Sequence, residues 1–124
     1  MATITGRVLA AMRQAPCVPI TDANPGGGPG WYTLELDCER HLLFVGETSD
    51  LAARLEWHLA RLHVRGAVDP ARVWVRWVEA RPILGASAGS ERARQAIDAV
   101  LVSIFQPLWD AGSTRSEAVQ STPL

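Results

Sequence analysis

Apolar residues recur along the chain with two periods, and each change of period marks an element. From Thr5 to Gln14, Val8, Leu9 and Met12 fall on one side of a helical repeat, which predicts a short helix that Pro16 and Pro19 stop. Trp31 to Leu36 switches to alternation, with Tyr32, Leu34 and Leu36 set against Thr33 and Glu35. A second apolar run, His41 to Val45, follows the polar turn Asp37-Cys38-Glu39-Arg40, so the two runs predict a β-hairpin. Gly46 to Asp50 supplies a turn and capping side chains. Leu51, Leu55, Leu59 and Leu62 then return to helical spacing and predict a helix from about Asp50 to His63. Beyond Gly66 and the turn Asp69-Pro70, Arg72 to Val78 is rich in β-branched and aromatic residues and predicts a third strand. Ser90 and Glu91 open a last helix, whose Ala93, Ile97, Val100, Leu101 and Ile104 form one stripe ending before Pro107.

Between these elements, Asp22 to Gly30 is too rich in glycine and proline for regular structure and reads as a mobile connector. It lacks the preceding strand, following helix and Lys-Ser/Thr close of a phosphate-cradling loop. Pro82 to Ser90 reads as small and flexible, and 112–124 as a polar, disordered tail. The expected fold is α/β of the α+β kind: a small, largely antiparallel three-stranded sheet flanked by helices. Residues 1–29 would hold the N-terminal helix and connector, 30–111 the domain and 112–124 the tail.

A length of 124 residues suits one domain with a real core, and 48% apolar with 20% charged residues excludes a wholly disordered chain. With no membrane-length apolar stretch and no basic region followed by an apolar run, a cytoplasmic location is expected. Cys17 and Cys38 lack metal-ligand spacing and are expected to be free thiols. All 12 basic residues are arginine, yet 13 acids bring the net charge to −1. Bulk electrostatics therefore cannot carry nucleic-acid binding; a local arginine cluster would be needed.

Candidate chemistry begins with Arg54 and His58, four residues apart on one predicted helix and so on one face. An arginine fork binds phosphate oxygens and a neutral imidazole relays a proton, so the pair suits a phosphate. Alternatively, Arg54 pairs with Asp50 and His58 flanks the leucine stripe. Tyr32, the chain's sole tyrosine, is either a reactive hydroxyl or a core aromatic. Asp98 is locally unfavourable in mid-helix, which points to a use, or it pairs with Arg94 one turn earlier. Glu91 is a second acidic candidate or a complement to the helix dipole. The 5 tryptophans offer stacking surfaces or core packing.

Several of these residues together resemble the GIY-YIG endonuclease superfamily over roughly Gly30 to Asp110. Gly30-Trp31-Tyr32 is similar to the first tripeptide and Phe44-Val45-Gly46 to the second. Arg54 follows Gly46 by eight residues and His58 follows by four more, which resembles the family's arginine-histidine helix. Asp98 with the closing Pro107-Leu108-Trp109-Asp110 is similar to the last segment, where an acidic metal ligand precedes a Pro-x-x-Asn ending. The resemblance implies a divalent-metal-dependent endonuclease acting on DNA. Tyr32 or His58 would handle the proton of the attacking water, Arg54 would hold the phosphoryl group, and Asp98 would bind Mg²⁺ or Mn²⁺. Trp31, Gly46 and Asp110 would lie on the substrate side. Phe44, Glu47, Asp98 and Asp110 depart from the family's usual residues. Two alternatives follow: a non-cleaving nucleic-acid-binding or regulatory module, or a redirected enzyme acting on a small molecule.

Overall fold

The computed structural model describes residues 3–38, 41–65 and 68–108, without the side chains of 64–65. Helix α1 (Ile4–Gln14) begins where the Thr3 hydroxyl accepts the Gly6 amide at 2.9 Å, and it ends at Ala15, whose extended backbone suits the residue before a proline. Strand β1 (Val18–Pro19) and a 3₁₀ turn (Ile20–Asp22) follow. The hairpin comprises β2 (Gly30–Leu36) and β3 (His41–Thr48). After it come α2 (Leu51–Arg65), a 3₁₀ turn (Pro70–Arg72) and β4 (Val73–Glu79). A short α3 (Arg81–Leu84), a 3₁₀ turn (Gly85–Gly89) and α4 (Glu91–Phe105) complete the order. No helix among the described residues is long and apolar enough to cross a membrane.

Among the described residues the strands form one antiparallel sheet in the order β1-β4-β2-β3, packed with four helices in an α+β fold. The sheet has four strands where the sequence pattern predicts three. The additional strand is two residues long, opposite Val75 and Trp74 at the sheet edge, where Pro19 costs no interior ladder bond. So short a strand has no alternation to read. Pro82 to Ser90 is likewise more regular than expected, forming α3 and a 3₁₀ turn.

The glycine-rich connector has no regular structure, yet it is docked rather than mobile. Gly28 and Gly26 carbonyls accept the Leu51 and Ala52 amides at 2.9 and 3.2 Å, and the Pro29 carbonyl accepts that of Ala80 at 2.9 Å. Leu51 and Ala52 carry first-turn donors of α2, which have no partner within the helix. The expected tail, 112–124, lies outside the described residues.

Central strand β2 separates two cores. Tyr32 and Leu34 face α2 and pack with Leu51, Leu55, Leu62, Val73 and Val75. Trp31 faces the opposite way, into a cluster of Val8, Met12, Val45, Val78, Ile97 and Leu101 from α1, the sheet and α4. A register shift between Leu34 and Glu35 lets both Leu43 and Phe44 join the first core. The second face also buries an ion pair: Arg76 Nε donates to Glu35 Oε2 at 2.9 Å, and Arg76 Nη1 donates to the Ala15 carbonyl at 2.7 Å. That arginine fastens the end of α1 to the sheet.

Two glycines permit close approaches on β2 and β3. A Cβ at Gly30 would lie 2.3 Å from the Val78 carbonyl oxygen, and one at Gly46 would lie 2.6 Å from both the Tyr32 hydroxyl and Phe44 Cε2. Gly46→Ala is expected to destabilise the protein by about 1–3 kcal/mol through overpacking. Gly89→Ala, where a Cβ meets nothing within 4 Å, should change stability little. Urea unfolding of both variants checks this; equal midpoints would show that the Tyr32 ring moves aside without cost.

Candidate active site

A cleft of about 540 Å³ lies beside β3, the edge strand, with walls from β2, β3, α2 and α4. Tyr32, Arg54, His58 and Asp98 all line it. Strand alternation turns Tyr32 toward α2, and helical spacing puts Arg54 and His58 one turn apart. From α4, Glu91, Gln95, Asp98, Ala99 and Val102 form a helical stripe along the other wall, while Ile97 and Leu101 point into the core.

At the bottom of the cleft, Tyr32 Oη and His58 Nε2 are 2.8 Å apart, and each residue is only 2% exposed. Phe44 tilts against both rings, and Trp57 meets His58 edge-on with centroids 4.9 Å apart. Burial pulls the His58 pKa down from 6.5 to about 3, and the nearby charges of Arg54 and Arg61 add to the shift. Burial also pushes the Tyr32 hydroxyl well above its ordinary range, Asp98 and Glu47 push the same way, and Arg54 opposes them. Both groups are therefore uncharged at neutral pH. With the imidazole proton on Nδ1, the Tyr32 hydroxyl donates to Nε2.

Arg54 does not take the alternative partner suggested by sequence spacing. Asp50 instead caps α2, its Oδ1 accepting the Ala53 amide at 3.0 Å. Among the described residues no carboxylate lies within ion-pair distance of Arg54. Its guanidinium sits over the Trp57 ring, 4.9 Å from the centroid, and that of Arg61 lies 4.5 Å from the same centroid. The stack leaves the Arg54 charge available to an anion. Glu47, an acid on the cleft wall, is paired: Arg94 Nε donates to its Oε1 at 3.0 Å and Arg94 Nη1 to the Ala88 carbonyl at 2.7 Å.

The expected substrate-side residues separate. Trp31 is fully buried on the α4 face of the sheet and does not line the cleft; its Nε1 donates to the Arg94 carbonyl at 3.1 Å, so it supports the Arg94 backbone rather than touching a ligand. Strand parity is the reason: neighbours Trp31 and Tyr32 cannot share a face. Gly46 does line the cleft, and its missing side chain makes room for the Tyr32 ring. Asp110 lies outside the described residues. Sequence reasoning missed Trp57 and Arg61, and it offered Arg94 only as a partner for Asp98, whereas its guanidinium pairs with Glu47. The i, i+3, i+7 spacing of Arg54, Trp57 and Arg61 was the available signal for the first two; the Arg94–Glu47 pair carried none, because its members are remote in sequence.

Asp98 and Glu91 on one wall offer hard oxygen donors, and the open volume leaves space for water and a phosphate. That donor set fits Mg²⁺ or Mn²⁺, which binds through one or two carboxylates and keeps several waters. Among the described residues, no three metal-capable side chains converge in the cleft to form an all-protein cage.

The depressed His58 pKa carries a stability consequence. The folded value lies below the unfolded one, so its contribution is complete above pH 6.5 and is lost as pH falls toward about 3. The slope reaches roughly 1.4 kcal/mol per pH unit for one proton. His58→Gln should therefore be less stable at pH 7 but show a flatter decline between pH 6.5 and 5, as read by urea unfolding at each pH; an unchanged slope would contradict a buried neutral imidazole. No protein-family model and no curated protein matches this chain.

Proposed function

We propose that the protein is a divalent-metal-dependent phosphodiester hydrolase of the GIY-YIG type, with DNA as its substrate. The observation that carries this reading is the convergence of Tyr32, Arg54, His58 and Asp98, drawn from a strand and two helices, on one open cleft. The sequence resemblance had placed these four residues together, and their shared cleft supports it.

In this mechanism Arg54 binds the phosphoryl oxygens with charge-assisted bonds and stabilises charge that builds there during displacement. Trp57 holds the guanidinium in place from below. The Tyr32 hydroxyl receives a proton from the attacking water while passing its own to His58 Nε2, so the buried hydrogen bond serves as a two-step relay. An anionic phosphodiester beside His58 favours the imidazolium and counters the depressed pKa. Asp98 would hold the Mg²⁺ or Mn²⁺ ion, which when bound neutralises phosphate charge and acidifies a coordinated water; Glu91 lies seven residues earlier on the same wall.

A second reading is a small-molecule phosphoesterase, favoured by a cleft volume of about 540 Å³, which lies within the usual range of small-ligand pockets. Single- and double-stranded DNA and a nitrophenyl phosphodiester, each with Mg²⁺, Mn²⁺ or chelator, separate the two. Metal-dependent DNA cleavage is expected, with Arg54→Ala lowering its rate about 100- to 1000-fold and Tyr32→Phe about 100-fold or more. Asp98→Asn should raise the metal concentration needed for half-maximal rate. Turnover of the small ester alone would select the second reading. No turnover of any substrate would leave a non-cleaving binding module, revealed by DNA affinity that falls in Arg54→Ala.

A further inference from the structure

Away from the cleft, two cysteines that are 21 positions apart in sequence meet on the α1 side of the sheet. Cys17 precedes β1, Cys38 lies in the turn after β2, and Glu35 is close to both. One ligand atom from each of the three lies within 4.8 Å of the others, and Cys17 Sγ is 3.8 Å from Glu35 Oε1. Both cysteines are thiols and half-buried.

We propose that Cys17, Cys38 and Glu35 form a binding site for a thiophilic divalent ion of the Zn²⁺ class, with water as the fourth ligand. In a tetrahedral zinc site, bonds of about 2.3 Å to sulfur and 2.0 Å to oxygen set ligand separations of about 3.8 Å between sulfurs and 3.5 Å from sulfur to oxygen. The 3.8 Å sulfur–oxygen distance needs to contract by only a few tenths of an ångström. The carboxylate is already aimed: its other oxygen, Oε2, accepts from Thr33 Oγ1 at 2.8 Å and from Arg76 Nε at 2.9 Å. Such supporting hydrogen bonds orient a ligating carboxylate.

Charge also balances. Binding releases the two thiol protons to solvent, and two thiolates with one carboxylate offset a divalent ion and the Arg76 guanidinium. The backbone adds a separate observation. Asp37 and Cys38 both have left-handed φ, 55° and 51°, a conformation uncommon for residues other than glycine. Arg72 holds that turn, accepting the Asp37 amide on its carbonyl at 2.8 Å and pairing its guanidinium with the Asp37 carboxylate. The turn thus presents Cys38 beside Glu35 instead of relaxing away. An ion there would clamp the segment before the two-residue β1 to the β2–β3 turn.

The test uses the full chain, reduced and stripped with chelator, then titrated with Co²⁺ and Zn²⁺. Expected results are the visible bands of tetrahedral cobalt with thiolate charge transfer, saturating at one ion per chain. Zn²⁺ should displace the cobalt and protect both thiols from an aromatic disulfide reagent. Cys38→Ser, in a half-exposed turn, should weaken binding at least tenfold while retaining the wild-type circular dichroism. Asp98→Asn should keep the full cobalt signal, which separates this site from the cleft. An octahedral spectrum without charge transfer, or thiol reactivity unchanged by Zn²⁺, would overturn the proposal. So would a Cys17–Cys38 disulfide forming as readily with Zn²⁺ as without it.

Discussion

Everything in this fold hangs on the double burial of β2. The strand has neighbours on both edges and helices on both faces, so every side chain along it is committed by parity to one core or the other. Tyr32 goes toward α2 and meets His58; Trp31 goes toward α4 and supports Arg94; Glu35 goes toward α1 and meets Arg76. A slip of one residue would exchange these partners and strand each polar group in an apolar core, at a cost that specifies the register strongly.

The cleft follows from that arrangement. Arg94 acts behind the residues that face it by neutralising Glu47, while Trp57, itself part of the wall, holds the Arg54 charge in place. Glu47 departs from the pattern the chain resembles, yet its paired carboxylate makes that departure much less hostile to an anion than the bare sequence implies. The Tyr32–His58 bond is uncharged because water is excluded around it. In the proposed mechanism its capacity to move a proton is therefore governed by the charge a ligand brings.

How much of this was legible in the sequence depends on the range of the signal. The three longer helices and the three longer strands announce themselves through local periodicity, Arg54 and His58 through their spacing on one helix, and Tyr32 as the sole tyrosine, set on a strand. The strand β1 was hidden because two residues carry no period. The docked connector was hidden because its contacts run through backbone carbonyls, which composition does not encode. Trp31 was misplaced because motif adjacency ignores strand parity. The pairs Glu35–Arg76 and Glu47–Arg94, and the meeting of Cys17 with Cys38, join residues far apart in the chain and became visible only with the fold.

The absence of lysine, featureless as composition, acquires meaning at Arg76 and Arg94. Both are buried cations whose donors are shared between a carboxylate and a main-chain carbonyl. A lysine ammonium is a compact point charge without a fixed fork of donors. The guanidinium spreads its donors over a plane, so Nε meets the carboxylate while Nη1 meets the carbonyl. Each side chain therefore joins three segments at once: Arg76 links β4 to β2 and to the end of α1, and Arg94 links α4 to the turn before it and to β3, so neither helix hangs on a single bond.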